Sequence, residues 1–437
     1  MLSFKNINLL VKFIGSIPHS STNFPFVMSE KIYTIRRNSS PIKAQIKLVS
    51  SKSESNRALI INAVAGGTCT LDNLSAARDT QTMQRLLGLH TQELDVLDAG
   101  TTMRFLTAFT AIKGEDKIMT GTPRMCERPI GILVDALRQA GCNISYLNKE
   151  GYPPLKISAH NGLSNQPIKM KGDVSSQFIS AILMNAPFFE NGLVLELEGK
   201  IASRPYLEMT LQLMKHFGVN SEWKGNQIHV AANQQYNTQQ YSIESDWSGA
   251  SYWYSVVALA AEGSEIEVLG LKPNSLQGDS VLVQIMEPLG VKSTFNERGV
   301  VLTKIPAQQN VAIDFSDCPD IAQTLAVIAA AKHINLRLTG LESLRIKETD
   351  RILAIQQELQ KFGADMKAIE NDLFVVEHAN FNVNHQLIDT YDDHRMAMAF
   401  APLAILGEVK IENPDVVNKS YPSYWDDLKV AGFEILA

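Results

Sequence analysis

Repetition constrains this chain more than any other feature of its sequence. Six segments join a short polar start to an apolar helix rich in small residues. They begin at Ser53-Glu54-Ser55-Asn56-Arg57, Gly100-Thr101-Thr102-Met103-Arg104, Val174-Ser175-Ser176-Gln177, Asp246-Trp247-Ser248-Gly249, Pro319-Asp320-Ile321-Ala322 and Asp392-Asp393-His394-Arg395. Such starts supply side chains that accept from the free N–H groups of a first helical turn. A stretch of strand type follows each helix: Cys69–Leu74, Lys117–Thr120, Leu193–Leu197, Glu265–Leu269, Asn335–Leu338 and Glu408–Ile411. A second helix comes next and runs to a glycine, at Gly88, Gly141, Gly218, Gly290, Gly363 and Gly432. A left-handed cap is expected at each. After the middle four a hairpin pattern appears, such as Val291–Phe295 with Val300–Thr303.

The unit is therefore helix, strand, helix and hairpin, about 70 residues long, well beyond the common solenoid periods. The first unit is short because its hairpin is nearly absent, and the last lacks one too. Strands near Ile32–Ile35 and Ala44–Val49 are expected to fill the last gap and close the fold on itself. Six units are too many for one core, so the expected fold is α/β with two domains of three repeats. One domain comprises 28–49 with 245–437, the other 50–244, and the chain crosses between them near Val49-Ser50 and Ile243–Ser245. Residues 1–27 carry no acidic group and read as a leader or a mis-started segment, with Met28 as the working start. No later stretch is long and apolar enough to span a bilayer.

Forty Lys and Arg against 46 Asp and Glu give a net charge of −6, which disfavours a broadly basic nucleic-acid surface. The four cysteines, Cys69, Cys126, Cys142 and Cys318, show neither disulfide-scaffold nor zinc spacing. Nucleotide-binding glycine loops and metal-ligand motifs are also missing, so no cofactor is expected. Cations instead recur near the helix starts: Lys52, Arg57, Arg104, Arg124, Arg351, Arg395 and Lys419. Free N–H groups beside Lys or Arg make a phosphate or carboxylate site. Repeated on one architecture, they point to a pocket for a strongly anionic ligand between the two domains. With nothing between them, the opposing cations should repel and favour an open form.

Several runs carry a specific resemblance: Ser51-Lys52-Ser53-Glu54-Ser55-Asn56-Arg57, Ala99-Gly100-Thr101-Thr102-Met103-Arg104, Pro123-Arg124-Met125-Cys126-Glu127-Arg128-Pro129, Val174-Ser175-Ser176-Gln177-Phe178, Arg345-Ile346-Lys347-Glu348-Thr349-Asp350-Arg351 and Tyr391-Asp392-Asp393-His394-Arg395-Met396. In order, from about residue 30 to the end, the sequence resembles the 5-enolpyruvylshikimate-3-phosphate synthases. The resemblance implies two inside-out α/β domains and transfer of the enolpyruvyl group of phosphoenolpyruvate to the 5-hydroxyl of shikimate 3-phosphate. It also implies no metal or organic cofactor, small-molecule partners rather than nucleic acid or membrane, a monomer, a cytoplasmic location and glyphosate as an inhibitor. By the same resemblance Ser53, Arg57, Ser175, Ser176, Ser203, Tyr206 and Lys347 hold shikimate 3-phosphate, and Gln177 touches both ligands. Lys52, Gly100, Arg124, Arg351, Arg395 and Lys419 hold phosphoenolpyruvate. Asp320 and Glu348 are the acid/base carboxylates, with Asp320 also touching substrate and Lys52 counted in the catalytic set. The residues alone allow blander roles: a helix cap for Asp320, first-turn charge compensation for Glu348.

Some positions depart from the family pattern. Glu54 stands where small or apolar residues are common and must point away from any phosphate. Asp98 replaces a frequent asparagine and Phe105 a frequent proline, beside Gly100. Cys126 invites comparison with a sister transferase acting on UDP-N-acetylglucosamine through a loop cysteine, but the Ser-Ser-Gln and Lys-Glu-Thr-Asp-Arg runs favour shikimate phosphate.

Overall fold

In the computed structural model, which describes residues 31–370 and 372–437, each repeat is built around one small sheet. The leader at 1–27 and the start at Met28 lie outside the described residues. The second repeat shows the pattern. Lys117–Thr120 is central, Glu93–Asp95 pairs with it in parallel, and the antiparallel hairpin of Asn143–Tyr146 and Leu155–Ser158 completes the sheet. The first repeat keeps only Thr70–Asp72 with the parallel strand Gln240–Ser242, as its missing hairpin requires.

The last repeat is completed by both ends of the described chain. Val409–Glu412 pairs antiparallel with Ile32–Arg36, which in turn pairs with Glu434–Leu436. The second N-terminal strand does not join them as expected. Lys43–Lys47 lies parallel to Glu265–Leu269 in the neighbouring sheet. It occupies the place that Asn310–Asp314 takes in the next sheet, that of the strand leaving one hairpin and opening another repeat. The outer hairpin position was already taken by Glu434–Leu436.

Five of the six glycines adopt the expected left-handed conformation, with φ between 76° and 99° at Gly141, Gly218, Gly290, Gly363 and Gly432. Gly88 does not: its φ is −87°. The fourth second-helix is also shorter than its pattern, reduced to a 3-10 turn at Gly278–Val281 followed by Leu282–Ile285.

The helices that follow the polar starts lie innermost. Every residue from Gly100 to Ile112 is buried, and Trp247–Leu259 is buried except at Ser248. Ser51, Ser175, Asp246 and Asp393 cap four of the six through their side chains. Buried apolar side chains form two cores, one running from Leu59 to Tyr236, the other joining Ile35–Leu48 to Trp247–Phe433. Between the cores the two crossing segments run side by side. Ser50 bridges Ser245, the Ser51 N–H donates to the Glu244 carbonyl at 2.8 Å, and the Asp246 N–H donates to that of Val49 at 2.8 Å.

Glu54 points into this junction. It is 1% exposed, and its carboxylate accepts from the Tyr241 hydroxyl at 2.6 Å, the Glu244 N–H at 3.3 Å and the Gln277 side chain at 3.4 Å. Burial, outweighing these donors, pushes its carboxyl up to about 7. A carboxyl raised on folding binds its proton more tightly in the folded state. Stability therefore falls as pH climbs from the ordinary value of 4.5 to about 7, and the deficit persists above it. A shift of this size corresponds to about 3 kcal/mol. Glu54→Gln keeps an acceptor for Tyr241 without the charge, so it should raise the melting temperature at alkaline pH. The wild-type gap in melting temperature between about pH 5.5 and about pH 8.5 should shrink in the variant. An unchanged gap would mean that Glu54 does not titrate in the folded protein.

Candidate active site

Arg351 opens the helix Arg351–Lys361, whose cap is Asp350, accepting from the Ile352 and Leu353 N–H groups at 3.1 Å each. The cap position is thus filled, and Glu348, upstream of it, is free for another role. The Arg351 side chain is 2% exposed and divides its donors among three carboxylates. Nη1 reaches Asp320 at 2.9 Å, Nη2 reaches Glu348 at 2.9 Å, and Nε reaches Asp393 at 2.7 Å. Asp320 sits in the 3-10 turn Pro319–Ile321 and caps nothing. Its carboxylate instead meets Arg395 Nη2 at 3.1 Å and Lys347 Nζ at 3.5 Å. Neither acid caps a helix, and both are ion-paired with Arg351.

Burial alone would push the Asp320 carboxyl up, but Arg395, Lys347 and Arg351 outweigh it and hold it well below the usual range. Glu348 is likewise held well below, with Arg351, Arg128 and Lys419 overcoming its burial. Both acids are ionised in this arrangement, as proton acceptors must be.

Cations and carboxylates interleave across the two halves. Lys419 Nζ lies 4.0 Å from Glu348, donates to the Asp98 carbonyl at 2.6 Å and to its carboxylate at 2.9 Å, and lies 3.5 Å from Asp79. Asp79 also takes Lys52 at 3.1 Å. The expected repulsion between facing cations is therefore answered by acids. Asp79 and Asp98 stand between the Lys52 side and the Lys419 side, and the halves meet. Sequence reasoning placed the cations but missed Asp79, whose signal was only a carboxylate at the first turn of a second helix. His394 was also given no role. It is buried next to Asp393, and burial, then Lys52 and Arg395, hold its imidazole well below the usual range.

The resemblance gives Arg124 to phosphoenolpyruvate, but the arginines packed against Gly100 in the structure are Arg128 and Arg104. Arg124 lies in the short helix Pro123–Cys126 with its side chain half exposed, pairing with Glu127 at 3.1 Å and donating from Nε to the Glu348 carbonyl at 3.1 Å. Arg128, past the end of that helix, is buried and turns inward. Its Nη1 lies 3.9 Å from the Glu348 carboxylate, and its Nε has no hydrogen-bond partner among the described residues. A Cβ added at Gly100 would lie 2.8 Å from Arg128 Nη1 and 3.0 Å from Arg104 Nη1, so glycine is what lets both guanidiniums close over this helix start. Arg124 and Arg128 stand in one seven-residue run, Pro123 to Pro129. Which of them faces inward depends on where the short helix ends.

The remaining predicted residues gather on the first half. Ser175 Oγ accepts from the Gln177 N–H at 3.4 Å, Ser176 is buried in the same turn, and the Gln177 side chain donates to Thr101 at 3.2 Å, tying two helix starts together. Ser203, left-handed at φ 52°, precedes the helix Arg204–His216 that carries Tyr206. Arg57 does not turn its whole fork to the site. Nε donates to Thr210 at 2.7 Å, Nη1 to the carbonyl of Ser53 at 3.0 Å, and the guanidinium lies 5.5 Å above the Phe105 ring. Burial brings its pKa down to about 10. Phe105 thus packs in the core under Arg57, and the helix from Gly100 to Lys113 runs through it unbroken. Cys126 Sγ faces the Gly121 carbonyl at 3.7 Å. Among the described residues no cluster of His, Cys, Asp and Glu is arranged to hold a metal ion, and no helix is long and apolar enough to cross a membrane.

A family model described as EPSP synthase (3-phosphoshikimate 1-carboxyvinyltransferase) matches residues 36–95 and 88–428. The two segments meet at 88–95, the stretch where the first repeat lacks its hairpin. A 3-phosphoshikimate 1-carboxyvinyltransferase of Bacteroides fragilis is 47% identical over 401 residues, covering 91% of this chain and 97% of that protein. Proteins of the same description from Sulfurovum sp. and Vibrio vulnificus are 37% and 36% identical, each match covering 89% of this chain and 96% of the relative. Among solved structures, an EPSP synthase from Acinetobacter baumannii superposes with a TM-score of 0.74 at 21% identity, over 93% of this chain and 100% of that one, which is a likeness of fold.

Proposed function

From the chain's membership of the EPSP synthase (3-phosphoshikimate 1-carboxyvinyltransferase) family, we propose that it transfers the enolpyruvyl group of phosphoenolpyruvate to the 5-hydroxyl of shikimate 3-phosphate and releases phosphate. This is the shikimate-pathway step toward chorismate and the aromatic amino acids. The observation that carries the reading is the single buried Arg351 holding both Asp320 and Glu348, ringed by Arg395, Lys347, Lys419 and Arg128.

The reaction adds the hydroxyl across the enol double bond and then eliminates phosphate. The first step takes a proton from the hydroxyl and places one on the methylene carbon; the second removes a methyl proton as the phosphate leaves. Asp320, beside Lys347, is the acceptor for the hydroxyl proton. Glu348, on the Lys419 and Arg128 side, gives and retakes the proton at the methylene carbon. An ionised Glu348 has first to gain that proton. Phosphate and carboxylate oxygens drawing on Arg128, Lys419 and Arg351 weaken the field that depresses its pKa, and so move it toward the working pH. Lys52, Arg128, Arg351, Arg395 and Lys419 take the charge of phosphoenolpyruvate and of the developing phosphate, with Gly100 giving its backbone close approach. Ser53, Ser175, Ser176, Gln177, Ser203, Tyr206 and Lys347 bind shikimate 3-phosphate. Arg57 supports them from behind and Arg124 closes over the rim. The two domains are 28–49 with 245–437, and 50–244, jointed at the paired crossings. The enzyme works as a cytoplasmic monomer.

Incubation with shikimate 3-phosphate and phosphoenolpyruvate should release phosphate, and UDP-N-acetylglucosamine in place of the first substrate should not. Binding of both ligands without phosphate release would make the chain a binding protein instead. Glyphosate, a small anion, should compete with phosphoenolpyruvate. Gly100→Ala should weaken that competition about tenfold or more, because its methyl group displaces Arg128 and Arg104. Equal inhibition of both forms would mean that these guanidiniums do not meet the inhibitor.

A further inference from the structure

One buried carboxylate near the site has no place in the chemistry above. Asp279 is 4% exposed and lies in the shortened second helix of the fourth repeat, Gly278–Val281. Both of its oxygens accept from the Tyr206 hydroxyl, at 3.2 and 3.1 Å. Tyr206 belongs to the half built on the first core and Asp279 to the other. The contact is the centre of a tight seam. The Ser203 N–H donates to the Ser316 carbonyl at 3.2 Å, and the Arg204 N–H to the Asp317 carboxylate at 3.3 Å. A Cβ at Gly278 would lie 2.7 Å from that of Pro205. From Tyr206 the seam continues inward, for its carbonyl accepts from Arg57 at 3.4 Å.

We propose that Asp279 is a positioning residue of the transferase: from one half it holds the hydroxyl of Tyr206 on the other, and so sets the shikimate 3-phosphate side of the site only when the halves are together. The inference rests on the reading of Tyr206 as a substrate contact. Of the acceptors a phenol hydroxyl can meet, a carboxylate orders it most strongly. Holding the ring in place before substrate arrives removes an ordering cost from binding.

The groups facing Asp279 come from four elements: Asp320 on its turn, Arg395 on the last inner helix, Asp246 at a helix cap, and Tyr206, with Cys318 alongside. Burial, then the charge of Asp320, raises the Asp279 carboxyl to about 7 against the pull of Arg395. The strength of its hold on Tyr206 should accordingly change in the neutral range.

The test measures both Michaelis constants for Asp279→Ala, Asp279→Asn, Tyr206→Phe and the Ala/Phe double variant, with melting temperatures alongside. Asp279→Ala should raise KM for shikimate 3-phosphate about tenfold, the worth of a charge-assisted hydrogen bond, and change KM for phosphoenolpyruvate by less than about twofold. Asp279→Asn keeps a neutral carbonyl acceptor for the phenol and should recover part of the loss. It should also flatten the pH dependence of that KM near neutrality. The double variant should be no worse than the poorer single one. Additive losses in the double variant, or equal loss of both substrates, would overturn the positioning role. If Tyr206→Phe leaves both constants at the wild-type level, the reading of Tyr206 fails, and this inference with it. If Tyr206→Phe raises KM and Asp279→Ala does not, only the inference fails.

Discussion

Glu348→Gln and Asp320→Asn are each expected to lower turnover by about 10² or more while changing substrate affinity far less. The two changes keep an oxygen for Arg351 and nearly the same volume, so the fold should tolerate them. Each removes an ionised group from a site where Arg351 reaches both acids at 2.9 Å. The loss should appear in the step that moves the proton. A fast transient of bound ketal followed by slow release would place the block in elimination, and absence of ketal would place it in addition. The acid limb of the rate profile should also shift in the surviving variant, because removing one acid leaves the other with a larger share of Arg351. Near-wild-type turnover in both variants would take these carboxylates out of proton transfer.

Arg128→Ala should raise KM for phosphoenolpyruvate roughly tenfold to a hundredfold, from the loss of a charge-assisted contact worth about 1.5–3 kcal/mol. Arg124→Ala should change it by no more than about threefold, since a half-exposed pair such as that with Glu127 contributes little. The contrast rests on orientation. Arg128 lies under the surface against Gly100 and Glu348, and its Nε has no protein partner among the described residues. Arg124 Nε donates to the Glu348 carbonyl in an exposed contact. Titration of each variant with the two substrates separately reads the effect directly. The reverse order of losses would mean that Arg124 swings inward when substrate binds.

Much of the molecule was legible from residues alone because repetition multiplies weak signals. One alternating stretch is ambiguous, but six at matching places between a helix and a glycine are not. Glu265–Leu269 and Lys117–Thr120 form as read, to the residue. Gly88 departs from the cap a glycine after a helix usually makes, with φ at −87°. Ala44–Val49 was misassigned for a topological reason. A period-2 pattern reports that a strand has two faces and says nothing of which sheet it enters.

The site divides along the same line. Sequence determined which side chains are present at the helix starts, because a polar start on a buried helix is a local feature and the motif runs are contiguous. The resemblance to the family placed Asp320, Glu348, Arg351, Arg395, Lys347 and Lys419 in one site, and the structure brings them together. Only the tertiary structure decided which direction each one faces. Arg128 rather than Arg124 turns inward because a four-residue helix ends between them. Arg57 keeps most of its fork for Thr210 and Ser53 because Phe105 lies beneath it. Asp79 and Asp98 come between the cations of the two halves, although no motif joins them to Lys419 in sequence. Charge type is written in the chain residue by residue. The field at a site is a sum over groups brought from distant segments, and that sum exists only once the two cores are packed and the crossings at Ser50 and Ser245 have joined them.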